Sequence, residues 1–170
     1  MPHVVILYTT QLDAETDMSA LCRSLAAAMQ TVKDESGERV FPTGGIRVLA
    51  YPAAHHAVAD GSSDHAFCYL NLRMGRGRSA ATQQAAGQAL TDAAKMHFAP
   101  LLARRAIGLT LQVDEGPEVF DAKFGNLHAL FNNKGCPCST PRPSLHSPAS
   151  STRRARRARR CATSRARIRR

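Results

Sequence analysis

The residue with the most distinctive chemistry in this chain is the proline at position 2, directly ahead of the apolar run His3-Val4-Val5-Ile6-Leu7-Tyr8. Aminopeptidases that trim an initiator methionine act when the next residue is small, proline included. Loss of Met1 would leave Pro2 with a free secondary amine, and a neutral amine is a good proton acceptor once its pKa approaches working pH. Read alone, a proline at the first position of a strand also has a sufficient structural explanation. Two arginines stand beside it as candidates for binding an anion. Arg47 lies in the apolar stretch Ile46 to Tyr51, where Ile46 and Val48 point to the opposite face, and a charge inside such a run needs a partner. Arg78 lies in the turn Gly75-Arg76-Gly77-Arg78-Ser79, and by itself reads as a solvated side chain. A guanidinium fork matches a carboxylate bidentately, so both arginines suit an acidic substrate.

Metal chemistry has weaker support. His3, His55 and His56 lack a carboxylate at helical spacing, and Cys136 and Cys138 form only a C-x-C with no second ligand pair. Cys22 and Cys68 fall at apolar positions, where free cysteine is a small buried hydrophobe. No metal and no other cofactor is expected.

The elements that hold these residues follow from periodicity. Residues 3 to 8 read as a strand buried on both faces. Met18, Leu21, Cys22, Leu25, Met29 and Val32 then form the stripe of an amphipathic helix, with Asp13 or Thr16 as its N-cap. The breaker Phe41-Pro42-Thr43-Gly44-Gly45 leads into the strand Ile46 to Tyr51. The pattern then recurs. Ala66 to Arg73 is a strand, Ser79 caps a helix over residues 80 to 98, Phe98-Ala99-Pro100 is a second breaker, and Ile107 to Val113 is a strand. The distance between first and second strands is nearly the same in the two units. The fold class is therefore α+β: a duplicated βαβ unit forming a four-stranded mixed sheet, with two helices on one face because right-handed crossovers put them there. The other face is expected to be apolar and covered by self-association. Asn126 to Phe131 reads as a short closing strand.

Charge divides the chain of 170 residues into two parts. All 13 acidic residues lie at or before Asp121, while 11 of the 23 basic residues lie at or after Arg142. Residues 1 to 135 thus carry 12 basic and 13 acidic residues, a net charge of −1, and the formal +10 belongs to the tail. Residues 1–135 are expected to be one domain and residues 136–170 a disordered arm rich in Arg, Ser and Pro. Nucleic acid is a partner only through that arm, by counterion release. A shifted reading frame of a GC-rich gene would give the same composition. No apolar run spans a bilayer and no basic region precedes the first apolar stretch, so a cytoplasmic protein without a membrane partner is expected.

Taken together and in order, several motifs resemble the 5-carboxymethyl-2-hydroxymuconate delta-isomerase family. They are Pro2-His3, Phe41-Pro42-x-Gly44-Gly45-Ile46-Arg47, Ala59-Asp60-Gly61, Ala66-Phe67, Gly75-x-Gly77-Arg78-Ser79, His97-Phe98-Ala99 and Asn126-x-His128-Ala129-Leu130-Phe131. The resemblance runs from Pro2 to about Phe131. It implies the tautomerase superfamily, whose shorter members are single βαβ units, and with it a homotrimer, Pro2 as general base, and Arg47 and Arg78 as substrate-binding residues. The implied reaction interconverts unsaturated hydroxy and oxo polycarboxylates in aromatic-compound (homoprotocatechuate) catabolism. A tautomerase of another enol such as phenylpyruvate, or a nucleic-acid-binding protein acting through its basic tail, are the alternatives. The segment Lys123-Phe124-Gly125-Asn126 departs from the consecutive asparagines usual in the family. Roles for Asn126 and His128 are not readable at this level.

Overall fold

Alternation along two central strands sets the architecture. The computed structural model describes residues 2–116 and 119–132. Its elements are β1 (His3–Thr9), α1 (Leu12–Glu15), α2 (Met18–Thr31), a 3-10 turn (Thr43–Gly45), β2 (Arg47–Ala53), β3 (Ala66–Gly75), α3 (Ala80–Leu102), β4 (Ile107–Gly116) and α4 (Leu127–Asn132). On β1, Val4, Ile6 and Tyr8 are buried, and on β3, Ala66, Cys68, Leu70, Leu72 and Met74 are buried. They meet Leu21, Leu25 and Met29 of α2 and Ala86, Leu90 and Phe98 of α3 in one core. Fully burying a side chain of this size contributes about 1.5–3 kcal/mol.

The sheet order is β2-β1-β3-β4. β1 runs parallel to β2, and β3 parallel to β4, while β1 and β3 pair antiparallel at the centre. The two βαβ units therefore meet through their first strands. The mixed sheet with both long helices on one face agrees with the sequence reading, as do the strand positions.

Local chemistry explains the boundaries. Asp17, rather than Asp13 or Thr16, caps α2, its carboxylate accepting from the Ala20 N–H at 2.9 Å. Asp13 instead accepts from the Tyr8 hydroxyl at 2.6 Å, and Thr16 is bonded to His97 at 2.8 Å. After α2 the chain reverses through a turn in which Gly37 has φ of +82°. Here Asp34 accepts from the Ser36 and Glu38 N–H groups at 2.9 and 3.0 Å. Ser79 caps α3 as expected, accepting from the Thr82 N–H at 3.1 Å.

Three further expectations are corrected. The breaker at Phe98-Ala99-Pro100 does not end α3, which continues through Pro100 to Leu102. Pro100 lacks the N–H that would bond the i−4 carbonyl, a cost of about 3 kcal/mol, and burial of Phe98 and Leu101 on either side of it offsets that cost. The expected closing strand at Asn126 to Phe131 is the helix α4. Leu127, Leu130 and Phe131 stand at i, i+3 and i+4, and a six-residue apolar run does not separate that period from alternation. The helix-free face of the sheet is apolar only in part. Leu7, Leu49, Tyr51 and Phe67 are 47%, 44%, 50% and 36% exposed there. Further along β3 and β4 the face is polar and self-satisfied: Tyr69 donates to Gln112 Oε1 and Asn71 to Asp114 Oδ2, each at 2.7 Å. The arm at residues 136–170, and residues 133–135 of the expected domain, lie outside the described residues.

Candidate active site

Pro2 is buried at the entry to β1. The cavity beside it has a volume of about 270 Å³, and Pro42, Gly45, Gly75 and Arg78 form its walls. Each wall is placed by a breaker that the sequence made conspicuous. Pro42, with φ of −65°, precedes the 3-10 turn, and the Gly45 N–H returns to its carbonyl at 2.8 Å. The glycine-rich turn after β3 passes through Gly77 at φ of +96°, a conformation that favours glycine, and delivers Arg78 just before the α3 cap.

Arg78 is held from three sides. Its guanidinium donates to the Gly75 carbonyl at 2.9 Å and the Val40 carbonyl at 3.4 Å, and it lies over the Phe41 ring, 5.6 Å from the centroid. Phe41 itself is 1% exposed, so the platform is rigid core. Since a guanidinium has five N–H donors, Arg78 retains free donors for an anion.

The remaining wall comes from the segment after β4. Asp121, Lys123 and His128 all line the cavity. Lys123 forms an ion pair with Asp121, and its hydrogen bond holds the Asp121 carboxyl below the usual carboxylate range. His128 sits in α4, which packs on the 3-10 turn so closely that a Cβ on Gly44 would lie 2.9 Å from the His128 Cα. A Cβ on Gly45 would meet the imidazole Cε1 at 3.3 Å. The glycine doublet thus admits the helix that carries the histidine. Sequence reasoning missed Asp121 and Lys123 and assigned His128 no role. The Gly44-Gly45 pair was the available signal that another segment approaches there.

Arg47 is not part of this cavity. It starts β2 in register with His3, on the helix-free face, with Arg73 on the other side of His3. Its guanidinium donates to the Gly44 and Ile46 carbonyls at 3.0 and 2.8 Å. Asn126 is exposed. His55 and His56 are exposed between β2 and β3, and His56 Nδ1 lies 3.2 Å from the Ala53 carbonyl.

A larger groove of about 870 Å³ lies against α1 and the start of α2. Asp13, Glu15 and Asp17 line it, the last two paired with Arg105 and Arg23, and none of its described lining residues is basic, so it offers an anionic ligand no partner. Its other titratable groups are poor nucleophiles at neutral pH. Burial and the bond to Asp13 push the Tyr8 hydroxyl up to about 12, and burial also raises the Cys22 thiol. The smaller cavity, with a buried proline and an anchored arginine, is the one fitted to acid–base work on an anion.

Residues 2–131 match the family model of 5-carboxymethyl-2-hydroxymuconate isomerase. The 5-carboxymethyl-2-hydroxymuconate Delta-isomerase of Escherichia coli is 30% identical over 131 residues, 77% of this chain and 99% of that protein. A crystal structure of a 5-carboxymethyl-2-hydroxymuconate delta-isomerase shares 60% identity with a TM-score of 0.74, covering 77% of this chain and 93% of the other. That of a 5-carboxymethyl-2-hydroxymuconate isomerase from Deinococcus radiodurans R1 shares 33% identity with a TM-score of 0.68, covering 76% and 93%.

Proposed function

The chain belongs to the 5-carboxymethyl-2-hydroxymuconate isomerase family, and we propose that Pro2 is the general base of its reaction. The protein is an isomerase of unsaturated hydroxy and oxo polycarboxylates in aromatic-compound catabolism. The observation that carries the role of Pro2 is its burial in a cavity that also contains an anchored arginine. A free α-amino group titrates at about 7.7–8.0. Burial and the neighbouring Arg78 charge both disfavour the ammonium; the Asp121 carboxylate in the same cavity opposes them, but its charge is offset by Lys123, which leaves the neutral amine that a base requires favoured.

In this reading Pro2 takes a proton from the 2-hydroxyl or the carbon chain and returns it at the far end of the conjugated system. Arg78 binds a substrate carboxylate through its free donors and stabilises the dienolate as charge develops. Because the carbonyls of Gly75 and Val40 already fix its plane, little reorganisation is needed at the moment of proton transfer.

Arg47 is assigned to substrate binding through assembly. It lies on the helix-free sheet face, where the exposed Leu7, Leu49, Tyr51 and Phe67 favour docking of a second copy. In a homotrimer closed through this face Arg47 would lie at the subunit interface, where it could serve a neighbouring subunit's substrate. Among the described residues no helix is long and apolar enough to cross a membrane. A cytoplasmic site of action suits a substrate with several carboxylates, which crosses a bilayer poorly.

Ultraviolet absorbance tests the activity directly, by comparing ketonisation of the 5-carboxymethyl-2-hydroxymuconate dienol with that of phenylenolpyruvate. The expected result is a strong preference for the polycarboxylate. A strong preference for phenylenolpyruvate would overturn the substrate assignment and leave a tautomerase of another enol.

A further inference from the structure

The proposed substrate, a hydroxymuconate with a carboxymethyl arm, carries three carboxylates, more than Arg78 can pair even when joined by Arg47 of a neighbouring subunit. Among the described residues lining the cavity, the other side chain with a permanent positive charge at neutral pH is Lys123. It sits in the segment after β4, shares the cavity with Pro2 and Arg78, and its side chain is 51% exposed. Its ammonium is paired with Asp121, two positions earlier in the same segment, whose side chain is 40% exposed. A partly exposed ion pair of this kind contributes little to stability and exchanges partners readily. A lysine also has a flexible stem and rotatable donors, so its head can change partner without moving the backbone.

We propose that Lys123 is a specificity-determining residue that exchanges Asp121 for a substrate carboxylate, so that the cavity selects polycarboxylates over monocarboxylates. The inference rests on the polycarboxylate reading above. Asp121 then has a defined part. With the site empty it keeps the lysine over the cavity, and its negative charge opposes anions that cannot displace it. A substrate with one carboxylate is satisfied by Arg78 and leaves the Lys123–Asp121 pair intact. A substrate with several supplies a carboxylate within reach of each cation, and the lysine head turns inward.

The test is steady-state kinetics of the full chain with the 5-carboxymethyl-2-hydroxymuconate dienol, across a salt series, for wild type, Lys123→Met and Lys123→Arg. Loss of one charge-assisted contact should raise KM by about tenfold in Lys123→Met, with kcat falling far less. The same variant should show a flatter dependence of KM on salt, since the cavity then has one positive charge fewer to attract the anion. Lys123→Arg should restore most of the affinity, and all three proteins should melt at nearly the same temperature. A KM and salt dependence unchanged in Lys123→Met would overturn the proposal. So would equal losses in both variants accompanied by a lowered melting temperature, which would make Lys123 merely structural. Wild type inactive on the dienol would overturn the polycarboxylate reading together with this one, whereas an active wild type with an unaffected Lys123→Met would sink only the role of Lys123.

Discussion

Gly44 and His128 are in backbone contact: a Cβ on Gly44 would lie 2.9 Å from the His128 Cα and 3.2 Å from its nitrogen. The obstacle is main chain, so α4 must move if Gly44 gains a side chain. Gly44→Ala should therefore destabilise the protein by about 1–3 kcal/mol, as overpacking does. Activity should fall with it, because His128 leaves the cavity wall. Gly45→Ala meets side chains rather than main chain, the His128 imidazole and the Pro42 ring, each at 3.3 Å, and should cost less stability while pushing the imidazole into the site. Urea unfolding and steady-state kinetics on both variants check this. A wild-type unfolding midpoint for Gly44→Ala would contradict the packing.

Substitution at Pro2 separates chemistry from structure. Pro2→Ala keeps a free terminus but replaces the secondary amine, so turnover should fall by roughly 10²–10⁴-fold while the fold persists. A protein that retains Met1 has an amide at that nitrogen and should not turn over. Intact mass and activity measured on the same sample decide the matter, and full activity with Met1 present would remove Pro2 as the base.

The helix-free sheet face offers a test of assembly. Leu7 and Leu49 are nearly half exposed there. They lie on adjacent strands within an apolar patch, so Leu7→Asp or Leu49→Asp should dissociate an oligomer closed through it. Light scattering should show a trimer for wild type and smaller species for the variants, with activity falling as the assembly is lost. A monodisperse wild-type monomer at micromolar concentration would exclude the trimer.

Acid should weaken the fold through His97. Its ring accepts or donates in a 2.8 Å bond to Thr16 and packs edge-on against Phe98, 5.1 Å between centroids. Burial lowers its pKa below the ordinary value, with the Asp17 charge opposing. Between the unfolded value of about 6.5 and the lower folded one, the unfolded chain binds the proton and the folded one does not. The contribution of His97 is thus present above the unfolded pKa and is lost as pH falls through the folded one. His97→Gln should flatten the dependence of stability on pH in that window, measured by urea unfolding between pH 7 and pH 5. An unchanged slope would mean that another group is responsible.

Much of this architecture is local and was legible without coordinates. The stripe Met18, Leu21, Leu25, Met29 assigns a helix and the short unbroken apolar run up to Tyr8 a strand, although the run was expected to be buried on both faces and the structure buries only Val4, Ile6 and Tyr8 under the helices, leaving Leu7 47% exposed. The duplication and the mixed sheet follow from the order of those elements, and Pro2 was conspicuous as the one candidate terminal base. What the tertiary structure alone decided is which side chains share a space. Arg47 and Arg78 both follow a glycine-rich breaker, yet only Arg78 lines the cavity of Pro2, because its helix N-terminus abuts Val40 and Phe41 whereas Arg47 opens a strand on the outer face. Asp121, Lys123 and His128 carry no periodic signal, and the six residues of α4 are too few to distinguish a helix from a strand. Their arrival at the site depends on a through-space contact between α4 and Gly44, and contacts between segments far apart in the chain leave no regular pattern in either one.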